Sequence, residues 1–362
     1  MHIVISGYYG FDNVGDEAIL FSIIKNLRYL NSKINITVLS NNLESTKAMY
    51  GVNAVNRWKL KEISDVLKTA DGLISGGGSL LQDTTGLKSI PYYTGIMRIA
   101  MMHGVPVFVY AQGMGPIHKS FNKWLVSSTL NKATGITVRD ESSRQLLIDI
   151  GVNKEIIVVP DPVIGLDGSL FSTTWLRKQH ISKPIVAVSV RDWPSEINFK
   201  ERIARALDRL AQRNYSIVFV PMHGVHDYKT SMDTAALMKN RSFIAPGNIS
   251  IGEKISIIGQ ANLLIGMRLH ALIFSAITAT PFIALSYDPK IDAFASIAEQ
   301  PVAGHVCEDG WDDKSLTELA LSQLADEKRQ AAFLKEKIGP MKKSALKTTE
   351  LAMKMFAEKS HA

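Results

Sequence analysis

Short apolar, β-branched runs alternate along the chain with longer stretches whose apolar positions recur every three or four residues. In the first part the strand-like runs fall at 3–6, 34–39, 72–75, 105–111, 136–138 and 156–159, with helical stretches such as 17–30, 60–70 and 92–103 between them. That rhythm predicts a parallel sheet covered by helices on both faces. Pro160-Asp161-Pro162-Val163-Ile164-Gly165 breaks the rhythm and marks a domain boundary. The alternation then resumes, with strands at 185–190, 217–220, 243–245, 263–265 and 282–285 and helices near 199–212, 230–239 and 269–278. After Pro301 the pattern reads as wholly helical, with lysine-rich segments through Lys359. The expected architecture is α/β, with two doubly wound domains at 1–162 and 163–340. A helical tail at 341–362 is expected to pack back on the first domain. In such folds ligands lie beyond the carboxyl ends of the strands, here in a cleft between two sheets.

Composition narrows the partners. Lys and Arg total 41 against 34 Asp and Glu, a net charge of +7. The excess suits an acidic small molecule, a nucleic acid or an anionic membrane surface. It is scattered rather than gathered in one basic stripe with aromatics, which argues against nucleic acid. The single cysteine, Cys307, cannot form an intrachain disulfide, and a reducing compartment is the simplest setting. The chain enters a strand at Ile3-Val4-Ile5 without a basic leader or a small-residue cleavage site, and no apolar run approaches the ~20 residues of a membrane span. A cytoplasmic protein is expected, with peripheral contact at the inner face of the plasma membrane left open.

The residues just past each strand carry the chemistry. In the second domain Arg191 and Asp192 come after the first strand, Met222 and His223 after the second, and Arg268 and His270 after the fourth. Tyr287, Asp288 and Lys290 come after the fifth. Gly266-Met267-Arg268-Leu269-His270 stands where a strand gives way to a helix N-terminus, where free backbone N–H groups, a guanidinium and an imidazole would meet an anion together. The bias toward Arg, His and Lys at four strand ends indicates a small, multiply anionic ligand. His223 and His226 have no evident third ligand, and a metal site is not expected there.

The first domain differs. Gly7-Tyr8-Tyr9-Gly10-Phe11-Asp12-Asn13-Val14-Gly15-Asp16-Glu17 comes after the first strand, yet its spacing is not G-x-G-x-x-G. Asp16 and Glu17 suit the helix dipole and oppose a phosphate. Neutral hydroxyl groups fit this loop better. Ser75-Gly76-Gly77-Gly78-Ser79-Leu80-Leu81-Gln82-Asp83 and Gln112-Gly113-Met114-Gly115-Pro116 are glycine-shaped in the same way, and Ser79, Gln82, Asp83 and Gln112 offer the mixed donors and acceptors that a sugar requires. Arg139 either faces the ligand or pairs with a neighbouring acid, and pairing is the preferred reading. No D-x-D pair occurs, so the usual carboxylate cradle for a metal diphosphate is missing and no metal is expected.

These segments resemble the polysaccharide pyruvyl transferases, of the CsaB type. The resemblance rests on Gly7-Tyr8-Tyr9-Gly10, Asn13-Val14-Gly15-Asp16-Glu17-Ala18 and Gly76-Gly77-Gly78-Ser79-Leu80-Leu81-Gln82-Asp83. It extends to Gln112-Gly113-Met114-Gly115-Pro116, Val138-Arg139-Asp140 and Met267-Arg268-Leu269-His270-Ala271-Leu272, in that order. It implies a glycosyltransferase-B-like pair of Rossmann-like domains. It also implies transfer of pyruvate from phosphoenolpyruvate to two hydroxyls of one sugar, with phosphate released and no cofactor. For the CsaB type the acceptor is an N-acetylmannosamine in a lipid-diphosphate-linked precursor of a secondary cell-wall polysaccharide, ketalised at its 4- and 6-hydroxyls, and the polymer anchors surface-layer proteins. By the same resemblance Arg268 and His270 belong to the donor site and Arg191 is its second arginine. A mechanism consistent with that and with the residues themselves makes His270 the candidate acid. His223, Tyr287 and Lys290 complete the expected donor set. Tyr8, Asn13, Asp16, Gly77, Gly78, Ser79, Gln82, Asp83 and Gln112 form the expected acceptor set in the first domain, with Asp16 or Asp83 as base. Two rival readings stand beside it, a nucleotide-sugar glycosyltransferase on the same plan and a two-domain protein that binds an anion without turnover.

Overall fold

The computed structural model describes residues 1–83 and 88–360, so the last two residues of the expected tail lie outside it. The chain forms two compact units, Met1–Gly165 with Met341–Ala362, and Leu166–Pro340. Each is a parallel sheet flanked by helices.

The first unit contains β1 (His2–Tyr9), β2 (Asn35–Ser40), β3 (Asn53–Asn56), β4 (Gly72–Ser75), β5 (Gly78–Leu81), β6 (Val107–Met114), β7 (Gly135–Val138) and β8 (Ile157–Val158). Its order is β3-β2-β1-β4-β6-β7-β8, with β5 paired beside β6. Strand order reverses between β1 and β4, so the loops after these two strands stand at the switch point where α/β sheets receive ligands. Ile3, Val4 and Ile5 are all fully buried, as in a central strand with helices on both faces. The helix Val14–Leu30 after β1 is capped by the Asn13 side chain, with Asp16 and Glu17 in its first turn and Arg28 in its last.

The long helix Glu327–Ser360 contains Pro340, and the passage between units falls there. Its later part seats Phe356, fully buried, edge-on to Phe108 of β6 at 6.4 Å, and Thr349 hydrogen-bonds the Tyr110 hydroxyl at 2.5 Å. Gly72 on β4 leaves the room for the Phe356 ring, which would stand 2.7 Å from a Cβ there.

The second unit contains β9 (Ile185–Ser189), β10 (Ser216–Phe219), β11 (Ser242–Ile244), β12 (Leu263–Gly266), β13 (Phe282–Ser286) and β14 (Val302–His305), ordered β11-β10-β9-β12-β13-β14. Counted within the unit this is 3-2-1-4-5-6, the dinucleotide-fold order, and its reversal lies between β9 and β12. Val186, Val188, Ile217, Phe219, Leu263 and Ile265 build one core face, and the alternate residues Ala187, Val218 and Leu264 are equally buried on the other.

β14 corrects the expectation of a wholly helical chain after Pro301. Val302-Ala303-Gly304-His305 contains one β-branched residue and a glycine at φ +157°, so it has little strand propensity. It is extended because β13 offers an open edge, pairing at Ala284, Leu285 and Ser286. β3 was missed for the same reason, being a polar edge strand, and β5 lies inside what reads locally as a glycine loop.

Candidate functional site

In the second unit, Arg191 leaves β9 and Arg268 leaves β12, the two strands that flank the reversal. Arg268 is the N-cap of the helix Leu269–Ile277, and His270 stands partly buried in its first turn. The Arg268 guanidinium is held by Asp227, with Nε donating at 2.8 Å to Oδ2 and Nη2 at 2.5 Å to Oδ1. Asp227 lies on the helix Gly224–Ala236 and is 1% exposed. It also accepts the Met222 N–H at 3.3 Å, which ties the loop after β10 to the arginine. Lys254 lies close to the same acid. Its ammonium donates to the Pro221 and Gly247 carbonyls at 2.7 and 2.9 Å. Burial pushes its pKa down to about 8, against the pull of Asp227 and Glu253.

Arg191 is held differently. Nη1 donates to the Tyr287 hydroxyl at 2.7 Å, and the guanidinium lies 4.9 Å from the Trp193 ring and 4.8 Å from that of Tyr287. Lys290 sits 5.8 Å from the Tyr287 ring and donates to Asp288 at 2.8 Å. His223 feels both arginines. Partial burial first, then the Arg268 charge, hold its pKa below the usual imidazole value, with Arg191 adding to the effect and Asp227 opposing it. Two guanidinium groups thus stand at the ends of the neighbouring strands β9 and β12, and the charges of both bear on the His223 imidazole.

In the first unit the structure places Tyr8, Asn13, Asp16, Ser79 and Gln82 around the ends of β1, β4 and β5, and gives the glycines a reason that the sequence concealed. A Cβ at Gly76 would stand 2.1 Å from the Tyr9 hydroxyl, one at Gly78 2.5 Å from an Asp16 carboxylate oxygen, and one at Gly113 2.6 Å from the Arg139 guanidinium. The space is taken by the protein's own polar side chains. Arg139 donates to Ser79 Oγ at 3.1 Å and lies 3.5 Å from Asp140, so it both pairs with the neighbouring acid and touches the glycine loop. Tyr9 is fully buried, and burial above all, then Asp16 and Glu17, keep its phenol well above its ordinary value.

Several expected acceptor residues are occupied structurally. Asn13 caps its helix by accepting from the Gly15 N–H at 3.2 Å. Gln112 is fully buried and its amide donates to the Ser75 and Gly76 carbonyls at 3.0 and 2.8 Å, which pins the loop after β4 to β6. Asp83 accepts from the His118 and Lys119 N–H groups at 2.9 and 3.0 Å and from the Asn122 amide at 3.2 Å. Desolvation works against its charge, but these bonds outweigh it and hold the carboxyl below its ordinary range. Gly77 packs on Ile19, whose Cγ2 would lie 2.9 Å from a Cβ.

Sequence reasoning missed Arg57, Asp227 and Lys254. Arg57 is 3% exposed, donates to the Gly7 carbonyl at 2.9 Å and to the Tyr93 hydroxyl at 3.2 Å, and is ringed by Phe11, Trp58, Tyr92 and Tyr93 at 4.6–5.6 Å. Tyr8 stacks on Phe11 at 4.1 Å beside it, and Trp58 is 61% exposed. An open aromatic wall next to polar loops is a surface on which a sugar ring can stack. Among the described residues no group of three or more His, Cys, Asp or Glu side chains is placed to hold a metal ion.

Comparison with known proteins bears on the fold and the family. Crystal structures of Anabaena HepE in complex with UDP-glucose (TM-score 0.65, 14% identity, covering 99% of this chain and 100% of that one) and of the Neisseria meningitidis UDP-GlcNAc 2-epimerase bound to UDP-GlcNAc (TM-score 0.64, 12% identity, 98% and 99%) are similar in fold. They establish a glycosyltransferase-B-like plan of two Rossmann-like units. The amylovoran biosynthesis protein AmsJ of Erwinia amylovora is 20% identical over 253 residues, 64% of this chain and 60% of AmsJ, so the match takes in less than two thirds of that relative. Residues 13–289, which hold most of both sets of side chains described above, match the polysaccharide pyruvyl transferase family, and the chain belongs to that family.

Proposed function

We propose that the protein is a ketal pyruvyltransferase of the CsaB type. It takes phosphoenolpyruvate on the second unit and a sugar with two free hydroxyls on the first, and it works at the inner membrane surface in the cytoplasm. The observation that carries the reading is the pair Arg191 and Arg268 at the ends of β9 and β12. One fork is braced by Asp227 and the other by Tyr287 and Trp193, so each guanidinium is oriented before a ligand arrives. Phosphoenolpyruvate carries a carboxylate and a phosphate on a three-carbon frame and matches two separate cationic forks.

In the proposed reaction His270 protonates the methylene carbon, and oxocarbenium character develops at C2. The first sugar hydroxyl adds to C2 and loses its proton. Phosphate then leaves with its bonding electrons, and the second hydroxyl adds to close the ketal and loses its proton in turn. Asp16, which lies beside Gly78 of the glycine loop, or Asp83 accepts the hydroxyl protons. The proposed acceptor is an N-acetylmannosamine in a lipid-diphosphate-linked cell-wall precursor, ketalised at its 4- and 6-hydroxyls for a polymer that anchors surface-layer proteins.

The test is phosphate release from phosphoenolpyruvate with and without a synthetic N-acetylmannosaminyl-N-acetylglucosamine diphosphate-lipid analogue, with mass analysis of the acceptor. Acceptor-dependent release and gain of one ketal-linked pyruvate is the expected result. Stabilisation against heat by UDP or GDP, with none by phosphoenolpyruvate, would replace the reading with a nucleotide-sugar transferase.

A further inference from the structure

The helix Ser120–Leu130 has two unlike faces. Asn122, Leu125, Val126, Thr129 and Leu130 are buried inward, whereas Phe121 and Trp124 stand 63% and 57% exposed with ring centroids 5.9 Å apart. Large aromatics side by side in water are costly to leave uncovered. Lys119 at the N-cap and Lys123 one turn on are exposed beside them. The Arg98 guanidinium lies 5.7 Å from the Trp124 ring, fixed by bonds to Thr129 and Ser128 at 2.9 and 2.7 Å.

A second, independent observation lies in the sequence. Between Asp83 and Asp140 the chain contains no aspartate or glutamate, yet it holds Lys88, Arg98, Lys119, Lys123, Lys132 and Arg139. No other acid-free stretch of the chain is as long. The carboxylate bonded to the helix start is Asp83, from the edge of that stretch, which accepts the Lys119 N–H and the Asn122 amide. Aromatic side chains that accept an interfacial position, set among lysines with no acid nearby in the chain, fit an anionic bilayer surface. Among the described residues no helix is long and apolar enough to cross a membrane, so the contact would lie in the interface plane.

We infer that the Phe121–Trp124 face, flanked by Lys119 and Lys123, is a membrane-docking surface that takes anionic phospholipid. The lysine-rich helix Glu327–Ser360 is the weaker candidate for such a contact. In the helix Glu327–Ser360 lysines are mixed with Glu327, Glu336, Glu350 and Glu358, and of its two phenylalanines Phe356 is buried in the core and Phe333 is partly buried. The docking helix is also tied to the acceptor loop, since the carboxylate of Asp83 accepts the N–H groups of His118 and Lys119 at its start. A bilayer at this face would therefore lie beside the loop that carries Ser79 and Gln82.

The test uses the whole protein with phosphatidylcholine vesicles containing or lacking phosphatidylglycerol. Sedimentation should show binding that rises with phosphatidylglycerol and falls in high salt. F121A/W124A should weaken it at least tenfold, K119Q/K123Q should weaken it on anionic vesicles alone, and K342Q/K343Q in the tail should leave it unchanged. Trp124 emission should shift to the blue on vesicles, and W124F should bind while losing that shift. Both patch pairs are solvent-exposed, so unchanged melting and unchanged phosphate release with a soluble acceptor should accompany the loss of binding. Absence of binding to anionic vesicles, binding indifferent to F121A/W124A, or a self-association abolished by F121A/W124A in place of vesicle binding would each overturn the inference.

Discussion

Arg268 and Asp227, 41 residues apart in the chain, meet edge to edge, with Nε and Nη2 of the guanidinium each donating to a separate carboxylate oxygen. This uses one side of a five-donor fork and leaves other N–H groups for a ligand. Because Asp227 is 1% exposed, its charge relies on Arg268 rather than on water. Asp227→Asn should therefore cost about 3–5 kcal/mol of stability, as expected when one partner of a buried pair is lost. Urea unfolding reads this directly, and a loss well under 1 kcal/mol would show that the pair is solvated. The same logic makes Arg268→Ala a poor probe of donor binding, since it strands a buried carboxylate.

Arg191 is the cleaner probe. Its partners are a phenol and two aromatic faces, so its removal leaves no buried charge behind. Arg191→Ala should raise the KM for phosphoenolpyruvate at least tenfold, about 1.4 kcal/mol, with little change in melting temperature. Arg191→Lys should recover only part of that, because an ammonium keeps the charge and loses the fork and the ring stacking. Equal KM values for wild type and Arg191→Ala would remove Arg191 from the donor site.

His223 predicts a pH dependence. Burial and the Arg268 charge hold its pKa below the ordinary 6.5 in the free protein. A bound dianion would offset the arginine charge and raise that pKa, so binding should take up a proton between the free and bound values. Affinity for phosphoenolpyruvate should then fall as pH rises through that window, and be flat in His223 above it. Calorimetry in buffers of different ionisation enthalpy measures the proton count, and His223→Gln should abolish its share. No proton uptake in the wild type would place the anion away from this imidazole.

Two glycines give an internal contrast. Gly78 has φ +91° and faces an Asp16 oxygen 2.5 Å from the position of a Cβ. Gly78→Ala should cost about 1–3 kcal/mol through backbone strain and raise the KM for the sugar acceptor by displacing Asp16. Gly95 lies inside the helix Ser89–Met102 with nothing within 4 Å of a Cβ. Gly95→Ala should stabilise by about 0.5–1 kcal/mol without affecting turnover. Thermal melts and acceptor kinetics on the two variants check both signs.

Much of this was legible in the amino-acid order because it is local. Continuous apolar runs mark most of the central strands and period-3.6 patterning marks the helices between them, since a parallel strand buried on both faces must be apolar throughout. The reversal from β12 into a helix at Gly266-Met267-Arg268 is visible because a strand end, a glycine and a helix start succeed one another within a few residues. Edge strands β3 and β14 were not legible, because their conformation is imposed by a neighbouring strand's open edge rather than by their own side chains.

By itself, then, the sequence determined the layered α/β plan, the family-like loops and the cationic strand ends, all of which depend on residues near one another in the chain. The tertiary structure alone decided which group braces each cation. Asp227 reaches Arg268 from another helix, Tyr287 reaches Arg191 across 96 positions, and Arg57 finds its aromatic ring from three separate segments. It also brought one helix of the acid-free stretch to the surface, by burying one face of Ser120–Leu130 and leaving Phe121 and Trp124 outward. The physical reason is that charge pairing and burial are set by distance in space, and no local pattern encodes which distant side chain will lie within 3 Å.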